Sequence, residues 1–154
     1  MALEGLHHIT AITADAPRNV DFYARVLGLR LVKKTVNFDQ PDVYHLYYGD
    51  EGGTPGSILT FFEFPNAARG THGDGMPYRV LWRVYGSDAL DFWSRRLANE
   101  GIDAERDASG LRFADFEGLE HELVADHAPD PPLVAVADGI PPEHALLGFA
   151  GVRA

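Results

Sequence analysis

The segment Val20-Asp21-Phe22-Tyr23-Ala24-Arg25-Val26-Leu27 recurs seventy positions later as Leu90-Asp91-Phe92-Trp93-Ser94-Arg95-Arg96-Leu97. A repeat of this length obliges the chain to fold as two equivalent units, each built around the same helix. Apolar residues at Val20, Tyr23 and Leu27, and again at Leu90, Trp93 and Leu97, line one helical face. Asp15 with Pro17, and Ser87, supply helix-start chemistry, and Gly28 and Gly101 supply stops. A strand-like run precedes each helix, at Leu6–Thr13 and Tyr78–Tyr85. Strands are expected after the first helix at Arg30–Phe38, Val43–Tyr48 and Ser57–Phe64, separated by Asp39-Gln40-Pro41 and by the glycine-rich turn Gly49–Gly56. After the second helix come Leu111–Phe116 and Glu120–Val124 around the turn Glu117-Gly118.

The order predicts an α+β fold of two βαβββ modules, 1–70 and 71–127, whose sheets form an open, curled, mixed cup with helices outside. With 154 residues, 45% of them hydrophobic, the chain can bury one ordinary core. The segment 128–145 carries Pro129, Pro131, Pro132, Pro141 and Pro142 and reads as a linker. Beyond it, Leu146-Leu147-Gly148-Phe149-Ala150-Gly151-Val152-Arg153-Ala154 imitates Leu3-Glu4-Gly5-Leu6-His7-His8-Ile9-Thr10-Ala11 in register, with both histidines replaced by small residues. Residues 146–154 are therefore expected to be the start of a second domain or a swapped strand.

Composition narrows the chemistry. The chain has no cysteine, which excludes disulfides, thiolate metal sites and a cysteine nucleophile, so any metal is held by histidine and carboxylate. A formal charge of -10 makes nucleic acid and anionic membrane poor partners. The opening residues lack a basic segment followed by an apolar run, and no stretch reaches membrane-spanning length, which leaves the cytoplasm as the expected location. No nucleophile elbow, phosphate loop or dinucleotide fingerprint is present, and Gly52-Gly53-Thr54-Pro55-Gly56 is a turn.

The candidate chemical groups sit on the predicted strands. In a strand over Leu6–Thr13, His7 and His8 fall on opposite faces, so only one enters the cup, and periodicity alone does not choose between them. A lone strand histidine is commonly a hydrogen-bonded structural residue. Glu122 lies on the last predicted strand with Glu120 and Val124 on its face. It marks either a solvated face or the carboxylate of a two-histidine, one-carboxylate site with open positions for oxygen and a bidentate substrate. His45 lines the cup or faces solvent, His72, His127 and His144 lie in loop or linker context, and Lys33 and Lys34 read as solvated charge. Tyr44, Tyr47 and Tyr48 serve core, interface or substrate wall.

The runs Gly5-Leu6-His7-His8-Ile9-Thr10, Asn19-Val20-Asp21-Phe22-Tyr23, Leu27-Gly28-Leu29-Arg30-Leu31-Val32-Lys33-Lys34-Thr35-Val36-Asn37-Phe38 and Tyr44-His45-Leu46-Tyr47-Tyr48-Gly49-Asp50 closely resemble the amino-terminal half of bacterial ring-cleaving dioxygenases. These belong to the hydroquinone-type extradiol group of the vicinal oxygen chelate superfamily, and the match covers nearly the whole chain. The resemblance implies paired βαβββ units and a divalent metal, Fe(II) or Mn(II), that cleaves a small dihydroxylated aromatic ring with dioxygen. It implies that His8 is a metal ligand and that His7 assists the substrate as an acid, base or hydrogen-bonding group. The remaining ligands lie in a second homologous domain or, by analogy with homodimeric fosfomycin-resistance proteins, in a second copy, which would lend Glu122. The middle-strand ligand position falls on Arg79, or on Tyr78 if the register slips by one, and a cation there opposes a bound divalent metal. Two other readings share the fold: a non-catalytic module that binds or sequesters a small molecule, and a glyoxalase-type lyase or isomerase.

Overall fold

The computed structural model describes residues 5–36 and 43–154. The first module runs β1 (His8–Thr13), α1 (Ala16–Val20) continuing as a π-helical stretch (Asp21–Val26), β2 (Arg30–Val36), β3 (Tyr44–Gly49) and β4 (Ile58–Glu63). The second runs β5 (Arg79–Val84), α2 (Ser87–Asn99), β6 (Ala104–Arg106), β7 (Gly110–Ala114) and β8 (Glu120–Ala125), followed by β9 (Phe149–Arg153). The sheets are ordered β1-β4-β3-β2 and β6-β7-β8-β5-β9. In each module the first strand runs parallel to the last, and the remaining pairs are antiparallel. The two βαβββ modules expected from the repeat are both present, with β6 as a short strand that the sequence pattern did not mark. The turn expected at Asp39-Gln40-Pro41, and the last two residues of the strand drawn to Phe38, lie outside the described residues.

Local chemistry sets the element boundaries. Asp15 caps the first helix, its carboxylate accepting from the Arg18 amide at 3.0 Å, with Pro17 in the first turn. The helix then widens, and the Leu27 amide donates to the Phe22 carbonyl, five residues back. That wider turn is why Phe22 and Val26 join Tyr23 and Leu27 in the core, while Val20, expected on the buried stripe, is only half-buried. Gly28 ends the helix at φ +71°, and a side chain there would collide with Ile140. The second helix starts at Ser87 without a side-chain cap, because Gly86 takes the cap position.

One continuous core lies between the helices and the sheets. Tyr23 and Leu27 meet Leu46, Tyr48, Leu59 and Phe61 of the first sheet, while Leu90, Trp93 and Leu97 cover Trp82, Leu111 and Leu123 of the second. A fully buried side chain of this size stabilises the fold by about 1.5–3 kcal/mol, so the shared core binds the modules together.

The proline-rich segment is a strap. Ile140 and Ala145 enter the core, the Leu133 amide donates to the Leu147 carbonyl, and Trp93 Nε1 donates to the His144 carbonyl at 2.7 Å. Prolines forbid helix and inner strand here, yet the apolar residues between them still find buried seats. The strap delivers β9 to β5, where it pairs antiparallel as the edge strand of the second sheet. Among the described residues, no helix is long and apolar enough to cross a membrane.

Candidate functional site

Alternation along β1 turns Ile9 and Ala11 against the core and leaves His8, Thr10 and Ile12 on the face away from the helices. The strand pairing extends that open face. His8 stands opposite Ile58, Thr10 opposite Thr60 and Ile12 opposite Phe62, and His45 and Tyr47 of β3 stand opposite Phe62 and Thr60. Thr60 Oγ1 donates to Thr10 Oγ1 at 2.9 Å. The other long edge of β1 carries no strand among the described residues.

His7 and His8 do not separate as simple alternation predicts. The regular strand begins at His8, so His7 is not bound by the pleat, and both imidazoles are exposed. Their Nδ1 atoms lie 3.1 Å apart with the rings edge to face, which leaves both Nε2 atoms outside the pair. His7 also lines a groove of about 710 Å³ between the entry to β1 and β9.

The third imidazole of this face is His45. It stacks on Phe62 with ring centroids 3.8 Å apart, and its Nδ1 lies 3.0 Å from Tyr47 Oη. Its Nε2 is buried with no hydrogen-bond partner among the described residues. Burial first, then the charge of Lys33 and of His8, lowers its pKa and favours the neutral ring.

Glu122 sits on the open face of the other sheet, and the chain does not bring it to His8. Its carboxylate is almost completely buried and accepts from Arg153 Nε at 2.9 Å, Arg153 Nη2 at 3.2 Å and Arg79 Nη1 at 3.1 Å. Hydrogen bonding from Arg153, and then from Arg79, holds its pKa below the ordinary value against the opposing effect of burial. Arg79 also binds Glu120 through Nε and Nη2, at 2.8 and 2.6 Å. The sequence marked Arg79 as out of place beside a metal, but Arg153 as its companion was hidden, because only the docking of β9 brings it near. Among the described residues no three histidine, aspartate or glutamate side chains converge as a metal site.

Paired βαβββ modules with open mixed sheets define the vicinal oxygen chelate class. Residues 5–113 match the model of the Glyoxalase/Bleomycin resistance protein/Dioxygenase superfamily, and the chain belongs to that family. Among its relatives is MhqE of Bacillus subtilis (strain 168), named for ring-cleaving dioxygenase activity, which is 44% identical over 156 residues, covering 99% of this chain and 51% of that protein. The chlorohydroquinone/hydroquinone 1,2-dioxygenase of Sphingobium indicum is 34% identical, covering 96% of this chain and 48% of the relative. The chain therefore spans about half the length of the curated relatives it matches. A crystal structure from Bacillus subtilis, described as a dioxygenase, superposes with a TM-score of 0.87 at 42% identity over 96% of this chain and 48% of that one. FosX of Listeria monocytogenes, solved with Mn(II), superposes with a TM-score of 0.60 at 17% identity over 80% of this chain and 93% of its own, a likeness of fold alone.

Proposed function

We propose that this chain forms one half of a metal-dependent ring-cleaving dioxygenase acting on a dihydroxylated aromatic ring, and that His8 is its contribution to the metal. The carrying observation is the position of His8: exposed, on the open face of an edge strand, with Nε2 outside its contact with His7. The relatives named as ring-cleaving and hydroquinone dioxygenases support the reaction class. Fe(II) is the proposed ion and Mn(II) the second choice, since two imidazoles and a carboxylate with open positions suit either.

The described side chains do not complete that site. Glu122, the carboxylate expected from the sequence, is committed to two guanidinium groups, and the position that should bear a second imidazole bears Arg79. A homodimer in which a second copy lends Glu122 would have to break both ion pairs and carry Arg79 beside the ion. The missing ligands are therefore assigned to a second homologous unit, which meets the free edge of β1.

This chain's own residues then divide the remaining work. His7, in contact with His8, fixes the orientation of that ring and lies where a substrate hydroxyl can exchange a proton with its Nε2. Thr10 and His45 furnish polar points on a wall made of Phe62, Tyr47 and Ile12.

The test is oxygen consumption with hydroquinones, on the two-unit protein loaded anaerobically with Fe(II), beside its His8→Ala variant. Uptake by the wild type and its loss with the variant support the proposal. Tight hydroquinone binding without uptake favours the non-catalytic binding module, and turnover of a hemithioacetal without oxygen favours the glyoxalase-type reading. The chain's location is proposed to be the cytoplasm, in keeping with ferrous chemistry.

A further inference from the structure

Two strands of this chain begin alike, and a third repeats the sequence of the first. β1 opens at His8 and β5 at Arg79, and each starts a parallel ladder to the last strand of its own module, His8 opposite Ile58 and Arg79 opposite Glu120. β9 repeats the sequence of β1 in register, with Gly151 in the place of His8 and Arg153 in that of Thr10. The fold lays β9 against β5 so that Gly151 faces Leu81 and Arg153 faces Arg79, and on the other side Glu122 of β8 also faces Leu81. Positions 151, 79 and 122 thus share one face on three neighbouring strands around Leu81. Side chains there could reach a common centre, yet Gly151 offers none and Arg79 offers only donors.

Arg79 and Arg153 are also a like-charged pair directly opposed on adjacent antiparallel strands, an arrangement that by itself drives strands apart. Glu122 lies between them and accepts from both. Its side chain is 3% exposed and that of Arg79 18%, whereas Arg153 reaches in from the edge with 48% of its side chain in water, so solvent screens the pair only from the Arg153 side.

We propose that the second sheet carries a counterpart of the face that bears His8 whose residues do not suit a metal, in which the guanidinium groups of Arg79 and Arg153 supply Glu122 with the positive charge a divalent cation would bring, and the three together clamp β9 to β5 and β8. A third cation approaching Glu122 meets two fixed positive charges. The carboxylate's role is to hold a strand. The contrast with the His8 face rests on the proposed function, but the clamp stands on its own contacts.

The experiment uses the whole chain and two readouts, amide hydrogen exchange along β9 and the broadening of amide signals by Mn(II) as the probe ion. In the wild type, Mn(II) leaves the amides of β5, β8 and β9 unaffected. In Glu122→Gln, exchange at Val152 and Arg153 rises at least about tenfold while β4 is unchanged, because Arg153 loses the carboxylate that ties it to β8 while Arg79, still held by Glu120, keeps its charge opposite it. Should that variant unfold globally, Arg153→Met serves instead. It leaves Glu122 paired with Arg79 and is expected to loosen β9 alone. The triple variant Gly151→His, Arg79→His, Arg153→Thr places two imidazoles beside the carboxylate and is expected to gain Mn(II) at this face. The proposal is overturned if β9 exchange stays within about twofold of wild type in both single variants, a change too small to mark the loss of a contact that holds the strand. It is overturned equally if wild-type Mn(II) broadening centres on β8 around Glu122. Absence of Mn(II) from His8 when the second unit is present would count against the proposed function and leave the clamp untouched.

Discussion

Tyr23 Oη donates to Asp115 Oδ2 at 2.8 Å, across 92 positions of sequence, and so ties the helix of the first module to the turn before β8 in the second. The same oxygen lies 3.0 Å from His121 Nε2, and Trp82 Nε1 donates to His121 Nδ1 at 3.1 Å. Because Trp82 can only donate, Nδ1 of His121 must accept and Nε2 must carry the hydrogen, donating a hydrogen bond to Tyr23 Oη. The chain Trp82, His121, Tyr23, Asp115 is therefore directional and fully satisfied. Burial, followed by the neighbouring Asp115 carboxylate, pushes the Tyr23 pKa well above its ordinary value, so the phenol remains a donor.

Tyr23→Phe removes the middle of this chain and leaves Asp115 and His121 each short of a partner. The expected cost is about 1–3 kcal/mol, read as a lower denaturant midpoint at unchanged slope.

His121 also sets an acid limit on stability. Burial lowers its pKa from 6.5 to about 3. Between those values the unfolded chain binds a proton that the folded chain refuses, so stability is intact above the unfolded value and falls as pH drops. The slope is about 1.4 kcal/mol per pH unit. His121→Gln keeps an acceptor for Trp82 and a donor for Tyr23 but does not titrate. Denaturation curves across that pH window should show the slope in the wild type and its loss in the variant.

His45 carries a buried ring nitrogen with no partner among the described residues. His45→Phe retains stacking on Phe62 and removes the desolvated nitrogen, so thermal stability should be unchanged or slightly raised. Under the proposed function the same variant loses affinity for hydroquinone, measured by anaerobic titration. Intact affinity would remove His45 from the substrate wall.

His7→Ala should preserve metal binding and weaken it about 10–100-fold, as expected of a group that orients a ligand. Titration of Fe(II) or Mn(II) against the variant measures this directly.

Much of the fold was legible because it rests on repetition. The helix repeat at Val20 and Leu90 fixed two equivalent units, and glycine and proline punctuation placed most strands within a residue or two. β6 escaped because three residues, Ala104–Arg106, are too few to show a period. The π-helical turn escaped because its extra residue disguises the stripe that ends at Leu27. The strap looked like a linker, since proline content reports what backbone is forbidden and not where Ile140 packs. The site divided along the same line. His8 could be placed by alternation once its strand was known, whereas the fate of Glu122 depended on Arg153, a long-range neighbour that no local pattern marks.

The central claim is that His8 anchors the metal. The most direct measurement is the line broadening of histidine ring signals of this chain, in the presence of the second unit that supplies the remaining ligands, on adding Mn(II) in substoichiometric amounts. The account predicts that the ring of His8 broadens first and His7 next, with the buried ring of His121 unchanged and the response lost in His8→Ala. Broadening that persists in His8→Ala, or that begins at β8 around Glu122, would contradict it.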